Sequence, residues 1–177
     1  DVMIIGDRNA LMISIRITGY GPSYPVKATC EECGGQNKLD IDLASIGIKR
    51  LNIQPIEVGK NLFEFTLPVT KKKVLFKFPT IRDERERSVK EKNLKQHMQL
   101  MAESNITGNL EIAIQQVDGI SDKNKIKHFI MNMPAFDSRS LRMFMRENEP
   151  GMDMKCNFTC SHCRHENTAS IPVTSEF

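Results

Sequence analysis

The chain has 177 residues, 40% of them apolar and 27% charged, with no Trp and a formal net charge of +3. That is the profile of a globular protein, and a chain of this size buries about 70% of its unfolded surface. It argues against three classes: a dedicated nucleic-acid binder shows a clustered basic face, a membrane helix needs an apolar run of about 18 residues, and no secretory signal is visible.

In chain order, a short apolar run, "VMII", precedes "DRNALMISIRITGYG". The pattern predicts a helix from about Arg8 to Thr18, with Asp7 as N-cap, Leu11, Met12 and Ile15 as the apolar stripe, and Gly19 as the C′ residue. It leads into Thr29-Cys30-Glu-Glu-Cys33-Gly-Gly-Gln-Asn37, followed by "KLDIDL". Next, Phe63, Phe65 and Leu67 alternate with polar residues, and so do Val74, Phe76 and Phe78. Two period-2 runs across a polar turn predict a β-hairpin at about 60–80, with Lys71 to Lys73 solvated at its tip.

From Arg82 the pattern turns helical and highly charged, with sparse apolar positions at Val89, Leu94, Met98 and Met101. Such a helix is exposed or waits for a partner. "NLEIAIQQVDGI" reads as a second helix, closed by the turn dipeptide Asp118-Gly119. "SDKNKIKHFIMNM" reads as a third, with Ser121 as N-cap. "DSRSLRMFMREN" reads as a fourth, between Pro134 and Pro150-Gly151, with Leu141, Phe144 and Met145 facing inward. Together they make an inserted helical lobe at about 82–148.

The phrase then returns: Thr159-Cys160-Ser-His-Cys163-Arg-His-Glu-Asn167, followed by "TASIPV". Both cysteines of each pair align between the two copies, as do Thr29 with Thr159 and Asn37 with Asn167, yet 126 residues separate Cys33 from Cys160. Each copy reads as a strand, a tight turn presenting two thiols, and an outgoing strand. Gly34 and Gly35 free the first turn for positive φ. Two such knuckles supply the four tetrahedral thiolates of a closed structural Zn²⁺ site: Cys30, Cys33, Cys160 and Cys163.

The expected fold class is therefore α+β. A Cys₄ zinc-ribbon module, residues 20–45 plus 152–175, is closed by the two ends of the chain, with the hairpin and helical lobe inserted between the knuckles of a single domain. Five cysteines is an odd number for a disulfide scaffold, and two C-x-x-C pairs suit a metal in a reducing compartment. A redox C-x-x-C opens a helix after a strand; neither pair here does. Strand alternation puts Cys156 on one face with Phe158 and Cys160, as a small hydrophobe and not a ligand. His162 and His165 are ligand types made redundant by four thiols. Iron suits a Cys₄ site as well as zinc does.

No enzyme signature is present: no G-x-S-x-G, phosphate loop, G-x-G-x-x-G or H-E-x-x-H, and none of the four histidines sits in a motif. The expectation is a non-enzymatic protein. The alternative is a zinc-ribbon nucleic-acid-binding module, for which Arg139, Arg142 and Arg146 would line a helix face.

Three stretches carry a resemblance: "DRNALMISIRITGYGPSYPVKATCEECG", "FEFTLPVTKKKVLFKFPTIRDE" and "MPAFDSRSLRMFMRENEPGMDMKCNFTCSHCRHENTASIPV". They resemble the zinc-ribbon proteins of the baseplate hub in T4-like contractile-tailed bacteriophages. The resemblance implies a virion or hub-assembly subunit, found in the tail baseplate and in the host cytoplasm during assembly. It implies hub, spike or tail-tube proteins as partners, copies in multiples of three, no nucleic acid and no membrane span. It also implies a segment before Asp1, and the chain does begin without Met.

Overall fold

A computed structural model describes residues 2–95 and 104–171. Its elements run α1 (Ile5–Tyr20), β1 (Ser23–Thr29), β2 (Gln36–Asp42), β3 (Ile48–Lys49), β4 (Phe63–Thr66), β5 (Lys73–Phe76), α2 (Ile81–Lys95), α3 (Ser104–Ala113), β6 (Ile114–Val117), α4 (Lys123–Met131), α5 (Ala135–Asn148), β7 (Gly151–Met152), β8 (Lys155–Thr159) and β9 (Glu166–Ser170). The fold is α+β. It divides into two compact units, one of residues 1–5 and 50–149, the other of residues 6–49 and 150–177.

The first unit is built on the antiparallel sheet β4-β5-β6. The alternating phenylalanines do form the expected hairpin. Val74 and Phe76 of the middle strand are fully buried, and Phe63 packs its ring 4.9 Å from that of Phe78. Lys71 and Lys72 lie in the turn as expected, while Lys73 opens β5; Lys72 pairs with Asp118 at 3.5 Å and Lys73 with Glu64 at 3.3 Å. Helix α5 covers the sheet through Leu141, Phe144 and Met145, the residues its periodicity marks.

Two readings of this unit are corrected. The segment "IQQV" is a strand, not the end of a helix. Leu110, Ala113, Ile114 and Val117 fit a 3.6-residue period, but the free edge of β5 accepts Ile114–Val117 instead. The turn after it is the expected one, with Asp118 and Gly119 at φ 45° and 84°. Its N–H donates to the Lys73 carbonyl and its Oδ1 accepts from the Lys73 N–H, both at 2.9 Å. The N-cap of α4 is Asp122, which accepts from the Lys125 N–H at 2.9 Å; Ser121 instead accepts a bond from the Gln116 amide. The charged helix is present as α2. Thr80 and Asp83 cap each other there, and Lys77 Nζ sits 2.7 Å from Asp83. Val89 is exposed, while the side chain of Leu94 and all of His97, Met98 and Met101 lie outside the described residues.

Among the described residues of this unit, the fully buried charge is Asp137, in the first turn of α5. Its carboxylate accepts from the N–H of Val69 at 2.7 Å, and from the N–H and hydroxyl of Thr70 at 3.0 and 2.8 Å. Burial pushes its pKa up, but those bonds and the Lys71 charge outweigh it and hold the group below its ordinary 3.8. The loop between β4 and β5 is thus tied to a helix N-terminus, where an anion is favoured.

The second unit holds α1 and two β-hairpins. Helix α1 is longer than expected. It starts at Ile5, so Asp7 lies inside the first turn and is no cap. It ends at Tyr20, and the C′ residue is Gly21 at φ 83°, not Gly19. Its buried face is also different: Ile13 is buried and Ile17 packs on the same core, whereas Leu11, Met12 and Ile15 are exposed. Periodicity fixes the spacing of a stripe, not which of two apolar stripes turns inward. Strands β3 and β7 pair Ile48 with Met152 and bring the two halves of the unit together. Gly6 lies against the Pro150–Gly151 backbone, and a Cβ there would overlap the Pro150 carbonyl oxygen.

Asp137→Ala should lower stability in urea by about 3 kcal/mol, because three partly buried donors lose their acceptor. The sign with pH follows from the lowered pKa. The contribution is complete well above 3.8 and is lost as pH falls through the lower folded value. Acid titration of stability should therefore be shallower in the variant. Gly6→Ala should cost about 3 kcal/mol by overpacking against fixed backbone. Gly19→Ala, with nothing within 4 Å of the added carbon, should instead stabilise by about 0.5 kcal/mol. Thermal melts of the pair check this contrast.

Candidate metal centre

Strands β1 and β2 pair in register from Ser23↔Asp42 to Thr29↔Gln36, and β8 and β9 from Lys155↔Ser170 to Thr159↔Glu166. Each hairpin ends in the same turn. The Cys30 N–H donates to the Gly35 carbonyl and the Gly34 N–H to the Cys30 carbonyl; the Cys160 N–H donates to His165 and the Arg164 N–H to Cys160. The equivalent positions Gly34 and Arg164 both take positive φ, 69° and 63°. Glycine does this freely, whereas an L side chain there costs about 1–2 kcal/mol.

The turns bring all four expected thiols together. The sulfurs of Cys30, Cys33, Cys160 and Cys163 lie within 4.8 Å of one another. Cys30 Sγ is 3.6 Å from Cys163 Sγ, and Cys33 Sγ is 3.7 Å from Cys160 Sγ. Those spacings are too long for disulfides, and all five cysteines are free. They match the edge of a sulfur tetrahedron around an ion with 2.3 Å bonds, which is about 3.8 Å. Among the described residues, no other group of His, Cys, Asp and Glu gathers in this way. Cys156 is half-buried against the unit's own core and outside the quartet. His162 turns its ring toward the Gln36 carbonyl.

The electrostatics also fit a cation. Cys160 is drawn from 9.0 down to about 6: the Cys163 N–H lowers it, burial opposes, and the His162 N–H, Asn37 and Cys33 lower it further. Cys30 is lowered by the Cys33 N–H in the same way, against burial. Cys163 moves the other way. Its His165 N–H favours the thiolate, but burial and the sulfurs of Cys33, Cys30 and Cys160 drive it up to about 12. The quartet thus favours its first negative charges and resists the last, which a positive ion at the centre would compensate.

The two aligned asparagines have a role that spacing alone did not supply. Asn37 Oδ1 accepts from the Ser161 N–H at 2.8 Å, and its Nδ2 faces Cys160 Sγ at 3.6 Å. Asn167 Oδ1 accepts from the Glu31 N–H at 3.0 Å, and its Nδ2 faces Cys30 Sγ at 3.5 Å. The signal was there, since each stands seven positions after the first cysteine of its pair.

Fold and site together define an α+β protein in which two distant C-x-x-C hairpins share one four-thiol cluster able to bind a metal ion. The chain belongs to the T4 bacteriophage base plate protein family, whose model matches residues 1–177. It is thereby a structural protein of the phage tail baseplate that works in contact with other tail proteins. No curated protein and no solved structure matches the chain. Among the described residues no helix is long and apolar enough to cross a membrane.

Arg164→Gly should relieve the strained turn and raise stability by about 1 kcal/mol, and Gly34→Ala should lower it by a similar amount. Melting curves of the two variants read the opposite signs.

Proposed function

We propose that this chain is a non-enzymatic subunit of the baseplate hub, permanent or acting in its assembly, whose two knuckles form a zinc ribbon around a structural Zn²⁺. The observation that carries the metal reading is the four-sulfur cluster with tetrahedral spacing. Cys30, Cys33, Cys160 and Cys163 would be the ligands. Four thiolates leave no open coordination position for substrate or activated water, so the ion's contribution is to folding. The hub assignment rests on the sequence phrases flanking the cysteines. In this reading the closed hairpins fix the second unit, and the exposed helix faces are offered to neighbouring hub, spike or tail-tube proteins, with copies in multiples of three.

The test is metal content of the purified chain beside Cys30→Ser, Cys160→Ser and Cys156→Ser. One zinc per chain is expected in the parent and in the Cys156 variant, with zinc and a cooperative melt lost in the other two. A coloured, iron-loaded protein would replace zinc by iron. A metal-free parent whose Cys30 and Cys160 variants melt unchanged would end the metal reading.

A further inference from the structure

Asn37 and Asn167 are buried polar side chains of the second unit, 4% and 6% exposed. A buried carboxamide has to place two N–H donors and an oxygen acceptor, and both do so across the pseudo-symmetric join. Asn37 Nδ2 donates to its own turn at the Gly35 carbonyl, 3.1 Å, and toward Cys160 Sγ in the other hairpin. Its Oδ1 accepts the N–H and hydroxyl of Ser161, at 2.8 and 2.9 Å. Asn167 mirrors it: Nδ2 donates to the His165 carbonyl at 2.8 Å and toward Cys30 Sγ, and Oδ1 accepts the Glu31 N–H. The network fixes which end is oxygen, because a flipped amide would aim its N–H₂ at a backbone N–H.

We infer that Asn37 and Asn167 form a reciprocal latch: each is a positioning residue that holds the other hairpin's first cysteine and the backbone amide after it in the geometry a metal requires. The inference rests on the metal reading above. The latch acts on two levels. The bonds to Ser161 and Glu31 join the hairpins through groups that are not ligands. The N–H···S contacts point at the buried sulfurs, Cys30 and Cys160, and not at the exposed Cys33 and Cys163. A donor held against a thiolate favours its ionised form and fixes the direction of its lone pairs. Asparagine is the side chain that fits. Aspartate would keep the acceptor but set an anion against a thiolate, and leucine would strand the amides of Ser161 and Glu31.

The test uses the full zinc-loaded chain with Asn37→Asp, Asn167→Asp and the double variant, and Asn52→Asp, an exposed asparagine, as control. Zinc loss is followed by transfer to a chromophoric chelator, and cobalt-substituted protein reports the sulfur-to-metal charge-transfer band. Each latch variant should release zinc about 10–100-fold faster, with a shifted cobalt band, while Asn52→Asp behaves as the parent. Asn37→Ala and Asn167→Ala serve the same comparison if the aspartates do not fold in excess zinc. Release at the parental rate with an unchanged band overturns the latch and leaves the metal reading intact. A parent that binds neither zinc nor cobalt overturns both.

Discussion

Four sulfurs from two segments 126 residues apart in sequence lie within 4.8 Å, and the second unit is organised around that meeting. Closing so long a loop costs entropy, though the cost grows only slowly with length. The harder constraint is electrostatic. Four ionisable sulfurs at this spacing oppose their own full ionisation, which the opposed shifts of Cys160 and Cys163 express. Backbone donors from each turn, the paired strands β3 and β7, and the glycine contact between Gly6 and Gly151 hold the segments in place around this charge problem.

Both units apply the same rule to what they bury. The cores are aliphatic and aromatic, and the buried polar groups sit where segments distant in sequence must be joined. Asp137 ties the β4–β5 loop to α5 in the first unit, and Asn37 and Asn167 tie one hairpin to the other in the second. A polar group so placed is costly to leave unsatisfied and so tolerates few alternative arrangements. Hydrophobic burial is less particular, because similar side chains repack at modest cost.

Much of this was legible in the sequence, for definite reasons. The repeated Thr-Cys-x-x-Cys phrase, the alternating phenylalanines, the Asp118-Gly119 turn and helix α5 depend on local chemistry, which a linear reading sees. The misreadings lay where two local solutions were equal and a distant contact decided. Residues 110–117 match a helical period, and the edge of β5 made half of them a strand. Helix α1 has two apolar stripes, and the hairpin core selected Ile13 over Leu11 and Ile15. Asn37 and Asn167 align in the linear sequence, but that each hydrogen-bonds across to the other hairpin is a property of the pair in space.

The unit that holds the four thiols is discontinuous, with residues 50–149 interposed between its halves. That order has a consequence on the ribosome. At about 5–20 residues per second, the first cysteine pair waits on the order of ten seconds for the second to be made. During that wait Cys30 and Cys33 lack Asn167 and the sulfurs of Cys160 and Cys163, and they are an open dithiol accessible to oxidants and stray metals. The interposed unit carries its own sheet and core, so it has what it needs to fold in the interval. The four-thiol cluster can therefore close only once the last hairpin has been made.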